Sequence, residues 1–213
     1  MGDDREATGD TNCTGDKMRR RIAYVLPVAA LAVLALALVA TAESGNKGKG
    51  KRAKKVAHAS LKSADGSKVA KVRLVERRNG RVAVLVRARG LQPGFHGFHA
   101  HEKGLCEPPA FTSAGGHYKQ GGQTHGAHAG DMPPLLATDD GKARAEFVTD
   151  SFRIRELVAG DGSAIMIHSG RDNLANVPTR YKSGATAGPD EETLKTGDSG
   201  SRVACGVVQS KRR

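Results

Sequence analysis

The sequence contains no tryptophan and only eight aromatic residues, five Phe and three Tyr, in 213 positions. A core resting on aromatic side chains is excluded, so Val, Leu, Ile and Ala must fill it. Helical periodicity is equally scarce, and beyond residue 42 only a brief stretch around Ile154 to Val158 reads as helix. Cysteine is limited to Cys13, Cys106 and Cys205. What the chain has in abundance is glycine, at 27 residues, which marks turns and close backbone approaches. This composition suits a loop-rich β protein.

Acidic residues are too few to balance basic ones: 34 Lys and Arg face 22 Asp and Glu, a net charge of +12. Residues 1–42 hold five of each sign, residues 43–55 hold six basic residues against Glu43, and the remaining 158 hold 23 against 16. The surplus therefore divides as +5 and +7. Such charge attracts nucleic acid, anionic polymers and small anions alike. No nucleic-acid motif and no aromatic-rich surface accompanies it, which argues against a nucleic-acid module.

Basic residues Lys17 to Arg21 precede an apolar run from Ile22 to Ala42 that ends in Ala40-Thr41-Ala42. Residues 22–42 read as the apolar region of a secretory signal cleaved after Ala42, or as a retained membrane anchor. No Cys follows the small residues, which argues against a lipid anchor. Either reading places the folded domain outside the cytoplasm, secreted or in the cell envelope. Residues 1–21 form a segment ahead of the run, cytoplasmic or arising from a start upstream of Met18. Residues 43–65 read as a basic flexible linker, with GNKGKGKRAKK at Gly45 to Lys55 able to rest on an anionic envelope surface.

From Val69 the period becomes two. Val69 to Glu76 and Val82 to Ala88 flank Asn79-Gly80, a two-residue hairpin signal of the type I′ kind. Leu135 to Ala137 and Ala143 to Val148 flank a second turn at Thr138 to Gly141, and Ala164 to His168 and Val203 to Val208 read as further strands. Two long irregular stretches remain, Gly104 to Pro134 and Ser169 to Ser201. Loops of that length in a small domain are functional or disordered, and the first is rich in metal-binding side chains. The fold class is all-β, a sandwich or flattened barrel of Greek-key type, over residues 66–210.

Seven of the eight histidines fall between His96 and His168. His99 and His101 are two apart, so on a strand both point to one face. His117, His125, His128 and Asp131 follow at intervals of eight, three and three, and three imidazoles with a carboxylate compose a closed zinc shell. His168 ends an apolar strand. If His117 serves two ions through its two ring nitrogens, copper takes His99, His101, His117 and His168, and zinc takes His117, His125, His128 and Asp131. His96 then has no ligand slot left and reads as a structural histidine. An exported domain with Cys106 and Cys205 reads as one with a single disulfide.

The segments PGFHGFHAH (93–101), SAGGHY (113–118), HAGDMPP (128–134), IHSGRD (167–172) and GPDEETLKTGDSGSRVACGVV (188–208) resemble the copper/zinc superoxide dismutase family, in family order over about two thirds of the chain. The resemblance implies an eight-stranded Greek-key barrel whose copper lies beneath the two long loops, with His117 as the bridging ligand. It implies that Asp172 links a copper-ligand histidine to a zinc-ligand histidine and that Arg202 receives the anionic substrate. It further implies a guidance loop at Glu191, Glu192 and Lys195, a channel-narrowing Thr196, and a Cys106–Cys205 disulfide. One departure stands out: only Gly126 and Ala127 separate His125 from His128, so the zinc loop must close tightly. The implied activity is conversion of superoxide to oxygen and hydrogen peroxide by alternate reduction and oxidation of copper; the alternative is a non-enzymatic copper and zinc binder of the same fold. The residues fix no oligomeric state.

Overall fold

The computed structural model describes residues 55–210; the apolar export segment and the linker ahead of Lys55 lie outside them. Strands β1 (Val56–Lys62), β2 (Lys68–Glu76), β3 (Val82–Ala88), β4 (Gly94–His101), β5 (Asp131–Ala137), β6 (Ala143–Thr149) and β7 (Ala164–His168) follow in turn. A short ladder of β8 (Lys182–Ser183) and β9 (Thr186–Ala187) comes next, then β10 (Arg202–Val207) and β11 (Gln209–Ser210). Two short helices accompany them, α1 (Ile154–Leu157) and α2 (Glu191–Thr196). The main sheet runs β5-β4-β7-β10-β1-β2-β3-β6, with β11 on β1. Its non-sequential neighbours are the crossovers of a Greek key, and β5 lies beside β6 to close the barrel of eight main strands.

Alternation builds the core. Ala57, Ala59 and Leu61 on β1, Val72 and Leu74 on β2, and Val84 and Val86 on β3 point inward to meet Phe98, Leu135, Ile165 and Ile167. Ile154 and Leu157 of α1 join the same core. Strand β7 is buried at all five positions because both its faces are covered. Ile165 and Ile167 face the barrel interior, while Ala164 and Met166 join Phe111, Ala114 and Cys205 in a second, smaller core outside it.

Three turns share one construction. Ser63–Ser67, Arg77–Arg81 and Thr138–Lys142 each have a backbone bond from residue 1 to the carbonyl of residue 5 and from the glycine at position 4 back to position 1. Each Gly has positive φ (84°, 79° and 71°). The Asp or Asn before each glycine accepts the amide of the residue after it. Asn79 itself does not adopt positive φ, so the Asn79-Gly80 hairpin has a three-residue loop ending in a glycine bulge, not the two-residue type I′ turn the dipeptide predicts. A side-chain oxygen that captures the next amide but one favours this geometry.

The boundary read at residue 66 also needs correction. Val56–Lys62, assigned to the linker, is a strand hydrogen-bonded to both β2 and β10. Its inward residues are two alanines and one leucine, a weak apolar signal beside a run of lysines. Strand β5 likewise begins at Asp131, where Pro133 and Pro134 hide it from a reading based on strand propensity. The β4–β5 register shifts between His96 and Phe98 opposite those prolines, which accommodates their missing N–H groups. A chain beginning at Lys49 is expected to unfold in one cooperative transition, and a chain beginning at Ser63 to show none; circular dichroism on heating distinguishes them.

Candidate metal centre

Strand β4 carries Phe98 and Ala100 into the barrel core, so the period of two sends His99 and His101 to its outer face. Both are fully buried, at 0% exposure, because the two long loops cover that face. His117 reaches the site through an isolated bridge to His101, and His168 stands at the end of β7 opposite Arg202 of β10. The ligand-capable atoms of His99, His101, His117 and His168 lie within 4.8 Å of one another.

One nitrogen of nearly every ring is committed to an oxygen that can only accept. His101 Nδ1 lies 3.0 Å from the Gly115 carbonyl, His168 Nδ1 3.0 Å from Gly200 O, and His128 Nε2 3.1 Å from Gln123 O. His99 Nε2 and His125 Nε2 lie 2.5 and 2.8 Å from the two oxygens of Asp172. Each of these nitrogens must donate, which in the neutral ring leaves a lone pair on the other. Those others, His99 Nδ1, His101 Nε2, His117 Nε2, His168 Nε2, His125 Nδ1 and His128 Nδ1, are buried and make no hydrogen bond to the protein. Buried polar atoms are seldom left so, and lone pairs converging in fours are what a metal ion requires.

The second group converges on Asp131 Oδ1, with Nδ1 of His117, His128 and His125 at 2.9, 3.3 and 3.5 Å. His99 also falls close to this group, yet Asp172 holds its Nε2 and its one free nitrogen can serve a single ion. His128, with an orphan nitrogen near Asp131, is the better fourth member. Only His117 has no carbonyl or second carboxylate on either nitrogen, so it alone can face both groups. The other oxygen of Asp131 explains how so short a loop closes: Oδ2 accepts the amides of Gly126 (2.7 Å) and His128 (3.2 Å).

Helix α2 is the element that periodicity misses, since six residues are too few for an apolar stripe. Its ends were legible: Asp190 caps it through Thr193 N, Glu191 and Glu192 open it, and Gly197 in the left-handed region closes it. The Leu194 carbonyl accepts the His125 amide at 2.9 Å, pinning the second group to the second loop. Gly197 is a further site residue missed in the sequence, because a Cβ there would lie 2.2 Å from His125 Nε2. Glu191 pairs with Lys195 on the surface, and Thr196 Oγ1 donates to the Glu192 carbonyl. His96 is scaffold, with its ring nitrogens 2.7 and 2.8 Å from the carbonyls of His168 and Gln92.

Arg202 reaches the same place from below. Its Nη1 and Nη2 each donate at 2.6 Å, to Phe111 O and Gly115 O, leaving three N–H groups uncommitted. Gly115 O thus joins the arginine to His101. Cys106 and Cys205 are disulfide-bonded across 99 residues, tying the first loop to β10 beside the second core. A closed loop of that size contributes about 4 to 5 kcal/mol on the chain-entropy account.

The copper/zinc superoxide dismutase (SODC) family model matches residues 69–208. The chain belongs to the copper/zinc superoxide dismutase family. It is 44% identical over 167 residues to the Superoxide dismutase [Cu-Zn] of Mycobacterium tuberculosis, covering 71% of this chain and 69% of that one. An Extracellular superoxide dismutase [Cu-Zn] of Onchocerca volvulus is 36% identical over 56% of this chain and 58% of its own. Among solved structures, a SOD-like protein from Bacillus subtilis aligns with TM-score 0.56 and 28% identity, over 70% of this chain and 96% of that one. The clock protein EA4 aligns with TM-score 0.59 and 27% identity, over 73% and 94%.

Burial sets the charge states of this dismutase-family site. It pushes His101 well below the ordinary imidazole value, His168 down to about 3, and His117 and His128 down as well. Burial also opposes ionisation of Asp131 and Asp172, but their histidine partners hold both carboxyls well below the usual range. For His125, burial is overcome by Asp131 and Asp172, which raise it to about 9. Below the unfolded imidazole value near 6.5 the unfolded chain takes up protons that the folded rings refuse, so stability falls with pH. Above 6.5 the folded chain keeps a proton on His125 that the unfolded chain has lost, and that contribution disappears as pH rises through about 9. Metal-free protein is therefore expected to melt highest near pH 6.5, with Tm falling on the acid side by about 3 °C per pH unit for each proton involved. Calorimetry from pH 4 to 9 checks this, with His168→Gln expected to flatten the acid limb.

Proposed function

We propose that the chain is a copper/zinc superoxide dismutase, with His99 Nδ1, His101 Nε2, His117 Nε2 and His168 Nε2 holding copper. Nδ1 of His117, His125 and His128, with Asp131 Oδ1, would hold zinc. The observation that carries the reading is the pattern of orphaned lone pairs: every ring but one has its second nitrogen fixed by a carbonyl or by Asp172, and the exception, His117, whose Nδ1 faces Asp131, stands between the two sets. Copper, when bound, supplies one-electron redox chemistry, and zinc, which has none, supplies charge and a fixed geometry.

The residues account for the rest of the chemistry. Arg202 keeps two donors on the loop carbonyls and offers the others to a small anion arriving beside the copper ligands. Burial lowers its pKa somewhat while Glu192 opposes the shift, and an arginine so placed stays charged. His117 is the candidate proton carrier, since the nitrogen it would lend to copper, Nε2, has no hydrogen-bond partner in the protein and would be able to take up a proton, and pass it to the reacting anion, whenever it is not committed to the metal. Asp131 at 2.9 Å orients the ring from its other side. Asp172, by fixing His99 and His125 together, couples the geometry of the two sets.

An export segment at residues 22–42, followed by the basic sequence read as a linker, fits a protein that meets superoxide outside the cytoplasm. Neither bears on the chemistry. A copper store of the same fold would need the four imidazoles but no anion-receiving arginine aimed among them, and Arg202 favours the enzyme.

The deciding experiment follows superoxide consumption by purified protein with and without added copper. Turnover is expected only with copper and is expected to fall as salt rises. Arg202→Ala should retain copper, seen by its electron paramagnetic resonance signal, while losing about tenfold in rate. Full copper occupancy with no turnover in the unaltered protein would overturn the enzymatic reading.

A further inference from the structure

The domain's surplus charge is confined to one hairpin. Between residues 68 and 90 stand eight Lys and Arg and one acid, Glu76, a net of +7. The remainder of residues 56–213 holds 15 of each sign, so this hairpin contains the entire excess. Glu76 is itself engaged by Lys55, at 4.0 Å.

Strand register arranges part of that charge into a line. Ser60 on β1 lies opposite Lys71 on β2, Lys71 opposite Arg87 on β3, and Arg87 opposite Arg144 on β6. The three cations stand side by side on the outer wall of the barrel, all exposed, about 5 Å from strand to strand. In the adjoining row Arg73 adds a fourth, and Glu146 is the one carboxylate on the face. None of the four cations makes an ion pair among the described residues. Like charges directly opposite one another on a sheet are destabilising. Beyond the row, Lys68 and Arg89 carry the strip into a cleft of about 620 Å³ whose walls include Ser63, Ser67 and Ser169, with one acid, Asp65.

We propose that this wall of β2, β3 and β6 is a docking surface for a linear anionic polysaccharide. A row of cations repeating at the strand spacing exceeds what one small anion needs and fits a chain carrying charge on successive units. The exposed rows contain one imidazole, His58 opposite Arg73, and no Phe, Tyr or Trp on which successive bases could stack, which disfavours single-stranded nucleic acid. The large exposed apolar residues, Phe95, Leu105, Leu136, Leu174 and Leu194, all lie on other elements, so the wall lacks the apolar anchors of a membrane-binding surface. Around the closed barrel, β10 and β1 on one side and β5 and β6 on the other separate β2 and β3 from the β4 and β7 strands of the metal centre. A polymer lying on this wall leaves the metal site open.

The test uses the full chain and immobilised dextran sulfate in about 0.15 M NaCl. The unaltered protein is expected to bind, with affinity falling steeply as salt rises. The triple variant Lys71→Gln, Arg87→Gln, Arg144→Gln should weaken binding by roughly tenfold or more and make the salt dependence shallower. A variant with the same change in net charge, Lys47→Gln, Lys49→Gln, Lys51→Gln, should weaken it by less than about threefold. Superoxide consumption should be unchanged in both, and the melting temperature of the hairpin variant should not fall, since it loses only mutual repulsion. If the hairpin variant fails to fold, Arg87→Gln alone, at the centre of the row, should still give the largest loss of any single substitution among the six positions. No binding by the unaltered protein, or equal losses in the two triple variants, would overturn the surface. Tighter binding to poly-dT, or to vesicles of equal parts phosphatidylcholine and phosphatidylglycerol, would overturn the polysaccharide.

Discussion

The carboxylate of Asp172 is the joint on which this protein's site hangs. One oxygen holds an imidazole from a barrel strand, His99, and the other holds an imidazole from a loop, His125. Asp172 is 3% exposed, so removing either partner would leave a buried charge only partly compensated, a loss of up to several kcal/mol in comparable cases. The same contacts decide which nitrogen of each ring donates, and so where each lone pair points. The Leu174 amide adds a third bond at 2.7 Å. A single residue thereby fixes loop position, ring orientation and tautomer together.

The loops around that joint are long but not loose, because each is fastened by a different kind of force. The first is tied by the Cys106–Cys205 disulfide, by the small apolar core that Phe111 and Ala114 make with Met166, and by Arg202 on two of its carbonyls. The second is tied through α2, whose Leu194 carbonyl takes the His125 amide. Glycine at position 197 lets that helix end against the His125–Asp172 contact. Strand β7 explains why a barrel suits the purpose: one face completes the main core while the other supplies the floor of the site, so the histidines rest on a strand buried at all five positions.

Much of this was legible in the residues, and what was not has physical reasons. His99 and His101 could be placed on one face from their spacing alone, and the resemblance supplied Asp172 as the link between two histidines, where the structure shows it bonded to His99 and His125. The tight closure of His125-Gly126-Ala127-His128 could be anticipated, but not its means, since nothing local announces that Asp131 spends one oxygen on loop amides and turns the other to the imidazoles. Strand β1 was overlooked because Ala57 and Ala59 bury little apolar surface and lysines precede them. Helix α2 carried all its end signals and lacked only length. Gly197 depends on a contact with a residue 72 positions earlier in the chain, which no periodicity can show.

Charge distribution changes how attraction of a small anion to the site should be understood. The net charge of +12 suggests a broadly positive molecule, yet outside one hairpin the sequence from residue 56 to 213 is balanced, and that hairpin lies on the wall away from the metal centre. A Debye length near 8 Å at physiological salt keeps charges on one wall of a barrel from acting strongly on the other. Any guidance would therefore come from groups nearer the site: on α2 Glu191 already neutralises Lys195, and Glu192 acts on Arg202. Arg202 alone combines a lasting positive charge with free donors among neutral imidazoles. An anion polymer occupying the hairpin would cancel most of the domain's excess charge while leaving that local field intact, so docking and catalysis can be carried on one small domain without competing for the same cations.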